Sequence, residues 1–171
     1  MNKDYAIIAG GCFWCTEAIF ENVEGVISVY PGYIGGSNEN PSYEQVCSGK
    51  TGHAEAVKIE YNTSKICFKK ILDIFFKTHD PTTLNRQGND VGTQYRSAIF
   101  YSNESKLEIA SKKIYELQEH YENKIVTTLE KETKFYIAEE YHHKYFSKNP
   151  HNAYCFAVIK PKVEKFKSSQ K

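Results

Sequence analysis

Residues Ala54–Tyr61 alternate without a break: Ala54, Ala56, Lys58 and Glu60 fall on one side, and Glu55, Val57, Ile59 and Tyr61 on the other. Strict period two over this length marks a half-buried strand. The register also commits a carboxylate, Glu55, to the apolar side. There an ionised group is unfavourable unless it is paired, protonated or turned to solvent at a sheet edge. Protonation would make it a proton donor near neutral pH.

Further elements follow from the same local reasoning. Tyr5–Ala9 reads as a short buried strand, broken by Gly10-Gly11, and Thr16–Asn22 as a helix. Val26–Ile34 is β-rich but holds Pro31 and Gly32, which predicts a bent or edge strand. Pro41–Ser48 reads as a short helix. Ser64–Thr78 repeats apolar residues at helical spacing, with Asn62-Thr63-Ser64 as capping material. A polar loop, His79–Thr93, precedes a strand over Gln94–Tyr101 and a helix over Asn103–Tyr121. Ile125–Leu129 and Thr133–Ile137 read as strands, and Glu139–Phe146 as a short helix.

The order is β-α-β-β-α-β with trailing elements. It predicts an α+β fold, a two-layer α/β sandwich with a ferredoxin-like core and additional C-terminal elements. At 171 residues the chain fits a single domain, with a core of about residues 5–163 and a Lys-rich tail, 164–171, at the periphery. Its 22 basic and 21 acidic residues nearly cancel, so nothing calls for nucleic acid as a partner. No apolar run is long enough to span a membrane, and the opening Met1-Asn2-Lys3-Asp4 lacks the pattern of a signal peptide. A cytoplasmic monomer is expected. Five cysteines, an odd number, fit thiols better than a closed disulfide framework.

Three clusters can carry chemistry. In Gly11-Cys12-Phe13-Trp14-Cys15 a cysteine opens a helix, where free N–H groups and the helix dipole stabilise a thiolate. Cys15 lies one turn on, within disulfide reach. The motif alone leaves redox chemistry, metal binding and simple burial open. Phe13 and Trp14 could line a small apolar pocket or belong to the core. Glu55 is the second candidate. The third is Arg86–Arg96, a polar loop that holds both arginines of the chain, positions where a planar donor set could be required.

Four blocks resemble the signatures of the peptide methionine sulfoxide reductase A family. They are GCFWC at 11–15, PSYEQVCSGKTGHAEAV at 41–57, HDPTTLNRQGNDVGTQYRSAIF at 79–100 and FYIAEEYHHKYF at 135–146. The resemblance implies reduction of the S epimer of methionine sulfoxide, free or in proteins, with re-reduction by thioredoxin and no metal or organic cofactor. It implies Cys12 as nucleophile, Phe13 and Trp14 as the aromatics around the substrate methyl, and Glu55 as the acid at the sulfoxide oxygen. Tyr43 and Tyr95 match phenols that hold that oxygen, and Asp90 a supporting polar residue. Glu139, His142 and Tyr145 fall in a block that closes the site. His143 stands where Gln is common. Cys15 and Cys155 both match resolving positions, and Cys15 is expected to act first because it is closer. Cys47 and Cys67 are expected to be structural.

Two other classes use the same motif. A structural metal module would combine Cys12 and Cys15 with two of His142, His143 and Cys155, but the second pair lacks the usual spacing. A thioredoxin-type oxidoreductase would leave Glu55 and the Asp90 loop without a role.

Overall fold

A computed structural model describes residues 2–170. The alternating segment forms β3, Ala54–Asn62, near the middle of a six-stranded sheet. It pairs antiparallel with β1, Lys3–Gly10, on one side and with β2, Val26–Ile34, on the other. β1 pairs antiparallel with β6, Ser97–Tyr101. The order β6-β1-β3-β2, with α1 (Phe13–Phe20) and α3 (Phe68–Lys77) as the connecting helices, is the ferredoxin-like core that the element order predicts. The parallel β7, Thr128–Lys131, extends one edge, and the two-residue β8, Tyr136–Ile137, touches the other.

The two faces of β3 meet different surroundings. Val57, Ile59 and Tyr61 join the large core under the helices, and Ala54 and Ala56 join a smaller cluster with Ile7, Ile34 and Phe100 on the opposite face. Glu55 therefore points to the helix side, as its register requires.

Several boundaries differ from the sequence expectation. β2 runs through Pro31 and Gly32. It carries a bulge between Val26 and Ser28 and is the outer strand of the core four, so the missing N–H of Pro31 breaks no ladder. The carbonyl of Pro31 accepts from Ala138 N–H. The helix predicted from Ser64 starts at Phe68 after the N-cap Cys67, because Asn62 Oδ1 binds Ser64 N–H in a turn. The second helix, α2, spans Tyr43–Cys47 and opens on a Ser42–Gln45 capping box, past Pro41. Helix α4, Glu104–Gln118, is capped by Asn103. The polar loop contains a small hairpin of β4, Arg86–Gln87, and β5, Asp90–Val91. Glu139–Phe146 is a short 3-10 turn, Glu140–His142, followed by α5, Tyr145–Lys148.

The Lys-rich tail is not peripheral. Its residues 164–169 are the end of α6, Lys160–Ser169, whose Val163 and Phe166 are buried against the helical core. Their spacing of three residues puts both on one side of the helix while the lysines stay in water. Among the described residues, no helix is long and apolar enough to cross a membrane.

Candidate active site

Cys12 is the N-cap of α1, delivered by the end of β1 through Gly11 at φ +92°. A Cβ at Gly11 would strain that backbone and meet Gln87 Cγ at 2.6 Å, so the turn needs glycine. The side chain of Cys12 is buried, and so are Phe13 and Glu55, each 1% exposed. Oε1 of Glu55 accepts a hydrogen bond of 3.2 Å from Phe13 N–H, the amide that follows Cys12. Its Oε2 has no partner. Burial pushes the Glu55 carboxyl up to about 8, against the opposing bond from Phe13, with Asp90 and Cys15 adding to the rise. The group is a neutral acid at pH 7 whose free oxygen can carry a proton.

Tyr43, at the start of α2, and Tyr95 are half-buried phenols. Burial raises both well above their ordinary value, and the Tyr43 ring stacks with Phe13 at a centroid distance of 6.3 Å. Both remain O–H donors at any physiological pH. Trp14 stacks on Tyr145 with centroids 3.8 Å apart at 10°, and its Nε1 donates to His142 Nδ1 at 2.9 Å. Phe13 lies 5.1 Å from the His142 ring. His142 is wholly buried and its Nε2 has no partner. Burial holds its pKa below the ordinary value, so the ring is neutral, with its proton on Nε2. Glu139 ties this segment down. Its Oε1 accepts from Tyr33 O–H at 2.8 Å and its Oε2 from Tyr43 N–H at 2.9 Å.

The thiols behave as a pair. Burial, then the neighbouring Cys15 thiol, then Glu55 where it is ionised, push the Cys12 thiol well up. The neighbouring Cys12 thiol lowers Cys15 to about 7 against its own burial, helped by Lys162 and Tyr154. The helix N-terminus alone predicts a stabilised Cys12 thiolate. Here burial opposes the dipole, and the Cys12 thiol is raised rather than lowered. Cys155 is fully buried in a π-helical turn, and burial and the Cys15 charge raise its thiol.

Asp90 accepts the Tyr154 hydroxyl proton at 2.7 Å, and Tyr154 Oη lies 3.9 Å from Cys15 Sγ. Nothing in the sequence pattern singles out Tyr154 or Tyr33, and the only local signal is Tyr154's place beside Cys155. The arginines do not join this cluster. Arg96 makes a two-pronged bond to Glu130 that clamps β6 to β7, and Arg86 is exposed with its Nε on Gly88 O. Cys47 and Cys67 are exposed, so neither fills the core. Among the described residues, no group of three or more His, Cys, Asp or Glu is placed to hold a metal ion.

The family model "Peptide methionine sulfoxide reductase" matches residues 4–171. The "Peptide methionine sulfoxide reductase MsrA 1" of Rhodopirellula baltica is 58% identical over 96% of this chain and 85% of its own. Reduced Mxr1 from Saccharomyces cerevisiae superposes with a TM-score of 0.86 at 38% identity, over 90% of each chain. Mxr1 in complex with Trx2 gives 0.62 at 28% identity, over 81% of this chain and 83% of that one. With a matching sequence over nearly its whole length and a matching fold, the chain belongs to the peptide methionine sulfoxide reductase family of oxidoreductases.

Proposed function

We propose that this chain reduces the S epimer of methionine sulfoxide, free and in proteins, through a Cys12 sulfenic acid and an intramolecular disulfide that thioredoxin re-reduces. One observation carries the reading. A carboxyl that stays protonated up to about pH 8 is bonded to the amide next to a cysteine at a helix start. A sulfoxide sulfur becomes electrophilic when its oxygen is protonated or strongly hydrogen-bonded. Glu55 supplies the proton, and the Tyr43 and Tyr95 hydroxyls hold the oxygen without adding charge.

The Cys12 sulfur, its proton released to solvent, attacks the substrate sulfur as Glu55 protonates the oxygen. The oxygen then moves to Cys12. Methionine leaves, and Cys12 becomes a sulfenic acid. Cys15 attacks that sulfur, gives up its proton, and the hydroxyl departs as water, leaving a Cys12–Cys15 disulfide. Two electrons from an external dithiol restore both thiols, so the cycle calls for no metal or organic cofactor. The complex of the relative Mxr1 with Trx2 supports thioredoxin as that dithiol. Cys155 is a second acceptor for the disulfide, and Asp90 steadies Tyr154 beside the resolving thiol.

The Phe13 and Trp14 rings receive the substrate methyl. With methyl, oxygen and attacking sulfur each fixed, only one epimer can direct its remaining substituent out of the site, and the family resemblance assigns it as S. We further read the protein as a cytoplasmic monomer that repairs oxidised proteins. The test is turnover of each epimer separately, with dithiothreitol and with thioredoxin. Reduction of S alone, with Cys12 trapped as a sulfenic acid in Cys15→Ser, is the expected result. Turnover of the R epimer at a similar rate, or none of either, overturns the reading.

A further inference from the structure

Helix α1 carries a second buried carboxylate that the chemistry above does not use. Glu17 lies three residues after Trp14, on the same side of the helix, and is 1% exposed. Its Oε1 accepts a hydrogen bond of 2.9 Å from Lys144 N–H, and its Oε2 has no partner. That amide belongs to the segment that follows His142.

Lys144 has φ 54° and ψ 38°, the left-handed region that a side chain with a Cβ rarely adopts. Such a residue persists where its surroundings hold it. The carboxyl that binds its N–H is that restraint. The turn has one visible consequence: it lays the Tyr145 ring flat on Trp14, while His142 accepts the Trp14 Nε1 proton. One short segment thus fixes Trp14 by its face and its edge. Glu17 fastens that segment to the helix on which Trp14 stands.

We propose that Glu17 is a positioning residue for substrate recognition: it seats Tyr145 on Trp14 and so shapes the aromatic wall that receives the substrate methyl. The inference rests on the assignment of Trp14 to substrate binding. Glu17 acts by accepting hydrogen bonds, which an amide oxygen also does, so glutamine replaces it and alanine does not.

Trp14 is the only tryptophan in the chain, and its fluorescence reports on this wall independently of activity. The full-length protein is compared with Glu17→Gln, Glu17→Ala, Tyr145→Leu and the Glu17→Ala/Tyr145→Leu double variant. Glu17→Ala and Tyr145→Leu each shift the Trp14 emission. Each also raises the half-saturating methionine sulfoxide concentration in single turnover by about three- to tenfold, the scale of one aromatic stack. The saturated rate stays within about twofold, because the reacting groups are untouched. Glu17→Gln matches wild type in both readouts, and the double variant is no worse than either single one. Wild-type emission and half-saturation in a folded Glu17→Ala protein overturn the proposal, as does a Glu17→Gln variant impaired as much as the alanine. Shifted emission with unchanged half-saturation also overturns it, by a different route: the wall has moved and the substrate has not noticed, so the assignment of Trp14 falls. Where Glu17→Ala fails to fold, Tyr145→Leu with wild-type half-saturation gives the same refutation.

Discussion

The floor of the site and its wall are built by different means. The floor is Cys12, Phe13 and Glu55, on the first turn of α1 and on β3, all within the buried core. The wall is the segment from Ala138 to Tyr154, made of short turns in which Tyr141 is 52% exposed and Tyr145 and Tyr154 are half-buried. Side chains that reach across hold it: Glu139 to Tyr33 and Tyr43, Trp14 to His142, Lys144 N–H to Glu17, and Tyr154 to Asp90. Each such bond contributes about 1 kcal/mol, or about 1.5–3 where one partner is charged. The floor is set by burial in the packed core, whereas the wall is set by a few separable tethers. Groups of the floor should therefore govern the chemical step, and groups of the wall should govern affinity and cycling.

Replacing the sulfur proposed to attack tests this division most severely. Cys12→Ser is expected to lose at least about 1,000-fold in single-turnover reduction, since a serine hydroxyl with its ordinary pKa is no nucleophile here. Substantial activity in that variant would move the chemistry off the floor.

Glu55→Gln comes next, with an expected loss of about 100- to 10,000-fold in the first step and little change in half-saturation. The wild-type rate should fall as pH rises through about 8, where Glu55 gives up its proton, and the variant should lack that limb. The same shift has a stability sign. The folded value of about 8 lies above the ordinary 4.5, so the native state holds this proton longer than the unfolded chain does. That contribution is complete below about 4.5 and is lost as pH rises through about 8, on the order of 5 kcal/mol in all. Between pH 5 and 9 the urea midpoint of wild type should fall more than that of Glu55→Gln. Parallel curves would mean that Glu55 is ionised throughout.

Cycling should separate Cys15 from Cys155. Cys15→Ser is expected to retain one turnover and lose about tenfold or more in thioredoxin-supported cycling, while Cys155→Ser is milder. Peptide mapping after one equivalent of sulfoxide reads the linkage. A dominant Cys12–Cys155 bond in wild type, with Cys15→Ser cycling normally, would make the wall the resolving element.

The smallest effect belongs to a tether. Although burial opposes it, the bonds from Tyr43 N–H and Tyr33 O–H hold Glu139 below its ordinary value. Its stabilisation is present above about 4.5 and is lost as pH falls through the lowered value. Glu139→Gln should lower thermal stability at neutral pH by about 1–2 kcal/mol, with the gap closing in acid. It should raise half-saturation a few-fold and leave the saturated step alone. A large loss in the saturated rate would erase the distinction between floor and wall.

The sequence alone carried the strand register of β3, and with it the face on which Glu55 lies, because side-chain direction in a strand follows a local period of two. It also placed Cys12 at a helix start after a glycine break and ordered the six core elements, since periodicity and breakers act within a few residues. Its misplacements were local competitions it could not weigh, such as the Asn62 turn that delays α3, or two buried residues among the lysines of α6. Tertiary structure decided the rest. Glu139 meets Tyr33 across 106 residues, Glu17 meets Lys144 across 127, and Tyr154 meets Asp90 across 64, separations over which no pattern in the chain is repeated. The proton on Cys12 was settled the same way. A helix start favours the thiolate, but burial opposes it, and only packing supplies that burial.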